Sequence, residues 1–266
     1  MKLGMVFPGQ GSQSVGMLKA YAGLPEIEAL RGEATSVLGV DFLKLLDDGP
    51  AEQLNLTVNT QPAMVTAAIA AFRAWRALGG PAPAVVAGHS LGEYSALVAS
   101  GVLSFKDALP LVRYRAQCMQ DAVPEGTGAM AAILGLDDDG ARAACAEAAQ
   151  AEVVQAVNFN APGQVVIAGH KAAVARAIEA CKARGAKRAM PLPVSAPFHS
   201  SLMQPAADKL EGFLKNVVFA VPSVPVINNV DVKTESDPNK IKNALVRRPQ
   251  RRYAGSRSSA PWRRRA

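Results

Sequence analysis

Ser90 stands in the run Gly88-His89-Ser90-Leu91-Gly92, entered from the apolar pair Val85-Val86 and left through an apolar stretch that includes Leu97 and Val98. A serine between two glycines, at the corner between a buried strand and a helix, suits nucleophilic acyl chemistry. The backbone is pinched at such a corner, so the positions two before and two after the serine must be small. The turn exposes the hydroxyl and aims the free N–H groups of the helix start at a reacting carbonyl. The pentapeptide alone would also fit a Gly-Ser turn closing a βα unit. The strand before it and the helix after it favour the nucleophile.

A serine alcohol reacts poorly without a base. The chain holds three histidines, His89, His170 and His199. His89 adjoins Ser90 in sequence but faces a different side of the turn. His170 follows Gly169 and reads as a loop or helix-cap residue. His199 lies in Ser195-Ala196-Pro197-Phe198-His199-Ser200, an interdomain loop just before a helix, where catalytic groups tend to sit. Elimination therefore favours His199 as the base. Arg113 and Arg115 fall on the helix that follows the elbow. An arginine on a mostly apolar helix is commonly a snorkelling surface side chain. The sharper reading is a guanidinium fork that pairs with a substrate carboxylate. Spacing leaves both open.

The elements that would carry these groups can be traced along the chain. Lys2 to Phe7 reads as a buried strand that delivers the loop opened by Pro8-Gly9. Gln61 to Leu78 repeats Met64, Ala68, Phe72 and Trp75 at helical spacing and stops at Gly79-Gly80. Ala84 to Gly88 is a second strand, and Leu91 to Ala99 the helix that leaves the elbow. Ser104 and Asp107 form a capping box for a helix reaching Gln120. From Gly128 the rhythm changes to strand (129–134), helix (137–150), strand (153–159), turn (160–163), strand (164–168), helix (171–184) and strand (187–190). The fold expected is α/β: a larger α/β-hydrolase-like parallel-sheet domain with an inserted ferredoxin-like β-α-β-β-α-β subdomain. The expected boundaries are 1–126 and 193–246 for the large domain, 127–192 for the small one, and a tail over 247–266.

Composition narrows the function classes. No apolar run approaches the ~20 residues that cross a bilayer, and the amino terminus reaches Pro8-Gly9 too early for a secretory signal. Cys118, Cys145 and Cys181 are three, widely spaced and without a CxxC pair, which reads as reduced thiols in a cytoplasmic protein. Three histidines are too few to expect a metal centre. The net charge of +7 belongs to the tail, because residues 247–266 carry eight arginines and no acid, and without them 21 basic side chains face 22 acidic ones. That block reads as a solvated, disordered end with no specific partner. Nucleic-acid binding through it would want more interleaved aromatics than Tyr253 and Trp262.

Four ordered motifs together resemble one family. They are Phe7-Pro8-Gly9-Gln10-Gly11-Ser12-Gln13, the run Gly88 to Tyr94, Arg115, and Pro197 to Met203. The family is that of the malonyl-CoA:acyl carrier protein transacylases of fatty-acid synthesis, with the related acyltransferase domains of polyketide synthases. The stretches Val157 to Gln164 and Asn228-Asn229-Val230-Asp231-Val232 extend the likeness. The resemblance implies that Ser90 carries the acyl group, that His199 is its base and that Arg115 clamps the malonyl carboxylate. It implies an oxyanion hole from the N–H groups of Gln10 and Leu91. It further implies that Phe198 disfavours a 2-methyl branch and that Asn160 lines the cleft, although a turn residue explains Asn160 equally well. Malonyl-CoA and phosphopantetheinylated acyl carrier protein would be substrates. No cofactor, metal, nucleic acid or membrane is expected, and the chain is expected to act as a monomer.

After Val246 the likeness stops, where the family continues with a further strand–helix unit and a Gly-Pro-Gly turn. The switch to Arg, Ser, Pro and Ala reads as a truncated or frame-shifted C-terminus. The family orients its histidine with a backbone carbonyl from that region, so one alternative is an inactive truncated fragment. A serine esterase or thioesterase is the other. It would place a late histidine after its acid, and no histidine follows His199.

Overall fold

The computed structural model describes residues 2–194 and 196–247. In chain order the strands and helices are β1 (Gly4–Phe7), α1 (Pro25–Leu38), α2 (Val40–Asp48), α3 (Ala51–Leu54), α4 (Thr57–Ala77), β2 (Val85–Gly88), α5 (Gly92–Ala99), α6 (Phe105–Gln120), β3 (Gly128–Leu134), α7 (Asp138–Ala149), β4 (Val154–Ala161), β5 (Gln164–His170), α8 (Lys171–Ala183), β6 (Arg188–Pro191), α9 (Gln204–Leu214), β7 (Val226–Ile227) and α10 (Pro238–Arg247). They form two compact units. One contains residues 2–117, Phe213–Asn229 and Lys233–Lys242, the other Cys118–Gly212, Val230–Val232 and, of the described residues, 243–247.

The first unit is built on a parallel sheet in the order β1-β2-β7. Phe7 pairs with Gly88, and Ala87 with Ile227. Both loops that leave the carboxyl ends of β1 and β2 therefore emerge at one edge of the sheet, where α/β proteins place their ligands. β1 differs from the fully buried strand expected of it. Phe7 is buried but Val6 is 59% exposed, because successive side chains of a strand point to opposite faces of the sheet and the Val6 face is left open. α4 begins four residues before Gln61 and packs against α1 and α5, and Met64, Val65, Ala68 and Ile69 are among its buried residues. It ends as Gly79-Gly80 requires, with the Gly79 N–H donating to the Arg76 carbonyl at 3.1 Å and Gly79 at φ +83°. The capping box is present too: Ser104 Oγ accepts from the Asp107 N–H at 3.0 Å and donates to Asp107 Oδ2 at 2.6 Å.

The second unit holds the β-α-β-β-α-β order, from β3 to β6, on an antiparallel sheet ordered β4-β5-β3-β6. α7 and α8 pack on one another and on the sheet, enclosing Ile133, Ala144, Cys145, Val165, Ile167, Val174, Ala177 and Cys181. Alanine at so many facing positions lets the helices approach closely. Asp137 caps α7 by accepting from the Gly140 N–H at 2.7 Å.

Two local expectations change. Asn160 and Ala161 are the last residues of β4, Asn160 lying within the second of its two register shifts, so the turn is confined to Pro162-Gly163. Arg247, the expected start of the tail, closes α10 and pairs with Asp231 through two hydrogen bonds of 2.6 and 3.1 Å. The remainder of the expected disordered tail, 248–266, lies outside the described residues.

Candidate active site

Ser90 occupies the corner between β2 and α5 at φ +49°, a left-handed conformation uncommon for a residue with a Cβ. The two glycines make that corner possible. A Cβ on Gly88 would run into the Gly92 carbonyl and the Glu93 nitrogen, and one on Gly92 would meet the Phe7 carbonyl and, at 2.7 Å, the Pro8 oxygen. Strand, elbow, helix and first loop are thus in backbone contact, which no larger residue would allow. The His89 N–H donates to the Phe7 carbonyl at 2.9 Å, carrying the β1–β2 ladder one step past its end.

The first loop is drawn in the same way. A Cβ on Gly9 would sit 2.7 Å from the His89 oxygen, so the loop meets the elbow at Gly9, one residue before Gln10. Among the described residues, neither the Leu91 N–H nor the Gln10 N–H has a hydrogen-bond partner. The Ser90 N–H, by contrast, is engaged: it donates to Asn229 Oδ1 at 2.9 Å. Asn229, just beyond β7, also donates from Nδ2 to the Gly88 carbonyl at 2.7 Å and from its own N–H to Glu93 Oε2 at 3.1 Å. Glu93 is only 2% exposed and lies in the first turn of α5, where the helix dipole favours a carboxylate.

Arg115 belongs to the same unit and is only 3% exposed, which removes the snorkelling alternative. Its Nη1 donates to Gln61 Oε1 at 2.7 Å, and its guanidinium lies 5.5 Å from the centroid of the Tyr94 ring. Sequence reasoning passed over Gln61. The available signal was a carboxamide one turn ahead of Met64 on the apolar stripe of α4, a polar residue at a core position. Arg113, on the same helix, is half-buried.

In the second unit His199 is buried and, like Ser90, has a positive φ, +65°. Its loop is tightly cross-braced. Phe198, itself buried, donates its N–H to the Ala196 carbonyl at 2.9 Å, Ser200 Oγ donates to the Pro197 carbonyl at 2.7 Å, and the Ser201 N–H donates to Gln155 Oε1 on β4 at 2.8 Å. Asn160 is exposed at the end of β4. His170 occupies the N-cap position of α8 without a side-chain cap bond, and its Nδ1 accepts the Val153 N–H at 2.9 Å, a structural duty. No group of three or more His, Cys, Asp or Glu that could hold a metal occurs among the described residues. No helix among them is long and apolar enough to cross a membrane.

Comparisons with known proteins converge on one chemistry. The family model of the acyl transferase domain matches residues 5–252, which takes the match past Val246. The malonyl CoA-acyl carrier protein transacylase of Escherichia coli (strain K12) is 60% identical over 243 residues, covering 91% of this chain and 79% of its own length. The protein of that name from Bacillus subtilis (strain 168) is 46% identical over 247 residues, 92% of this chain and 78% of its own. Among solved structures, the acyl-carrier-protein S-malonyltransferase of Burkholderia pseudomallei 1710b superposes with a TM-score of 0.97 at 59% identity, over 99% of this chain and 86% of that one. A malonyl-transacylase solved in complex with a type II polyketide synthase acyl-carrier protein gives 0.96 at 52% identity, over 99% and 86%.

Proposed function

This chain belongs to the acyl transferase domain family, and we propose that it transfers the malonyl group of malonyl-CoA to the phosphopantetheine thiol of acyl carrier protein through a malonyl-Ser90 ester. In the first half-reaction His199 takes the Ser90 proton as Oγ attacks the thioester carbonyl. The C–S bond then breaks, and coenzyme A leaves with the proton returned by the imidazolium. In the second, the carrier thiol gives its proton to His199 and attacks the ester, and Ser90 leaves with that proton.

The N–H groups of Leu91 and Gln10 receive the oxyanion. Each such donor is worth about 3 kcal/mol in comparable sites. The Ser90 N–H is engaged by Asn229 and takes no part. Arg115 pairs with the free malonyl carboxylate, for which a buried guanidinium already oriented by Gln61 is well prepared. Phe198 narrows the space beside the acyl chain, and Asn160 lines the approach. Both substrates are water-soluble and the chemistry needs no cofactor, so a cytoplasmic monomer suffices.

The observation that carries this reading is Ser90 held at φ +49° between Gly88 and Gly92, in the same unit as a buried Arg115. Intact-mass measurement after incubation with malonyl-CoA tests it. The wild-type chain should gain one malonyl group that holo-acyl carrier protein then removes, and Ser90→Ala should gain none. Absence of a malonyl adduct on the wild type would return the chain to the inactive-fragment alternative.

A further inference from the structure

The sheet beneath the elbow is short on one side. β7 pairs with β2 only at Val86 and Ala87, yet the strand runs on to Gly88 and the chain must then turn sharply at Ser90. Beyond the end of β7 the ladder is continued by a side chain. Asn229 is 1% exposed, and its carboxamide spans the corner, donating to the Gly88 carbonyl at 2.7 Å and accepting from the Ser90 N–H at 2.9 Å. A carboxamide has the donor and acceptor geometry of a peptide unit, so it serves as a substitute strand residue. The opposite side of the corner is held by the His89 N–H on the Phe7 carbonyl. Asn229 is fixed in turn by Glu93 Oε2, which accepts its N–H at 3.1 Å from the first turn of α5.

We propose that Asn229 is a positioning residue for the nucleophile, its carboxamide clamping the Gly88 carbonyl and the Ser90 N–H so that Ser90 keeps its left-handed conformation and Oγ its aim. This rests on Ser90 being the acylated serine. A positive φ at a residue with a Cβ persists only where its surroundings over-determine it. Here the two bonds that do so on the β7 side both come from one side chain, 139 residues away in sequence for Ser90. Asn229 does not touch substrate in this reading. It acts through the placement of Oγ, so it should govern the rate of acylation and leave substrate affinity alone.

The test compares wild type, Asn229→Ala and the near-isosteric Asn229→Asp, each per folded molecule as judged by cooperative melting. Two acyl donors are used, malonyl-CoA and p-nitrophenyl acetate, an activated ester that needs no malonyl recognition. A misplacement of about 1 Å costs on the order of 100-fold in rate. Asn229→Ala should therefore acylate about 100-fold more slowly with both donors while KM for malonyl-CoA stays within about twofold. Asn229→Asp keeps the acceptor for Ser90 but loses the donor to Gly88, and should fall between. Wild-type acylation rates in either folded variant overturn the proposal. So does a parallel rise in KM, and so does failure of both variants to fold, which would make Asn229 a folding requirement only. A wild type that reacts with p-nitrophenyl acetate but not malonyl-CoA would count against the malonyl reading and leave the clamp testable.

Discussion

Arg115 Nη1 donates to Gln61 Oε1 at 2.7 Å, and both side chains are buried, at 3% and 2% exposure. A guanidinium cannot shed its proton, so Arg115 keeps its positive charge on burial and must be held by polar partners. Gln61 holds the fork by one nitrogen, and the Tyr94 ring lies against its face. The pair joins α4 to α6 and fixes the guanidinium that, under the proposed function, meets the malonyl carboxylate.

Replacing Arg115 with alanine should lower kcat/KM for malonyl-CoA by at least about 30-fold, the loss of one partner from a buried charge pair being worth about 2–5 kcal/mol. Acetyl-CoA, which has no carboxylate, should lose little, so the preference between the two donors collapses. Arg115→Lys should behave like the alanine variant, because an ammonium cannot reproduce the fork. Competition between the two thioesters for Ser90, followed by mass spectrometry, reads the outcome. Unchanged selectivity would remove Arg115 from its role.

Gln61→Leu keeps the volume on α4 but removes the acceptor. A hydrogen bond to a charged group is worth about 1.5–3 kcal/mol. KM for malonyl-CoA should rise about tenfold or more, with acylation by p-nitrophenyl acetate unaffected. Steady-state kinetics with the two donors separates a loosened carboxylate receptor from general damage.

Glycine substitutions should divide sharply by location. Gly88→Ala drives a methyl group into the backbone of Gly92 and Glu93, and no side chain can move aside to relieve it. The cost should exceed the ~1–3 kcal/mol of ordinary overpacking, with loss of soluble protein or a large fall in Tm. Gly32, within α1, has no atom within 4 Å of an added Cβ. Gly32→Ala should raise stability by about 0.5–1 kcal/mol through helix propensity alone. Differential scanning calorimetry of the two variants distinguishes the positions.

Burial, reinforced by neighbouring Cys181, pushes the Cys145 thiol from 9.0 up to about 12. The folded form therefore holds its proton at pH values where the unfolded chain releases it. The stability this thiol contributes is complete below pH 9 and declines as the pH rises from 9 towards 12. Urea midpoints measured from pH 8 to 11 should fall with pH, and fall less steeply in Cys145→Ala. Equal slopes would exclude Cys145 as a source. Iodoacetamide at pH 9 should spare Cys145 in the native protein and modify it in urea.

What could be read in the sequence was set by short-range physics. Gly88 and Gly92 mark the elbow because the pinch spans five residues, and Ser104 with Asp107 announces α6 because a capping box closes within one turn. The alternation of elements was enough for both the parallel sheet and the β-α-β-β-α-β unit, since each period reflects a single face seeking burial. Helices α1 to α3, α10 and the two-residue β7 went unread. The groups that brace Arg115 and Ser90 were hidden for a different reason. Gln61 meets Arg115 across 54 residues and Asn229 meets Ser90 across 139, and nothing near either one in the chain names its partner. Whether a polar side chain is a surface residue or a buried brace depends on what the folded backbone brings against it. Sequence alone determined which serine stands at a strand-to-helix corner and what kind of corner would hold it, while only the tertiary structure decided that Arg115 is buried, that Gln61 bonds to it and that Asn229 spans the turn.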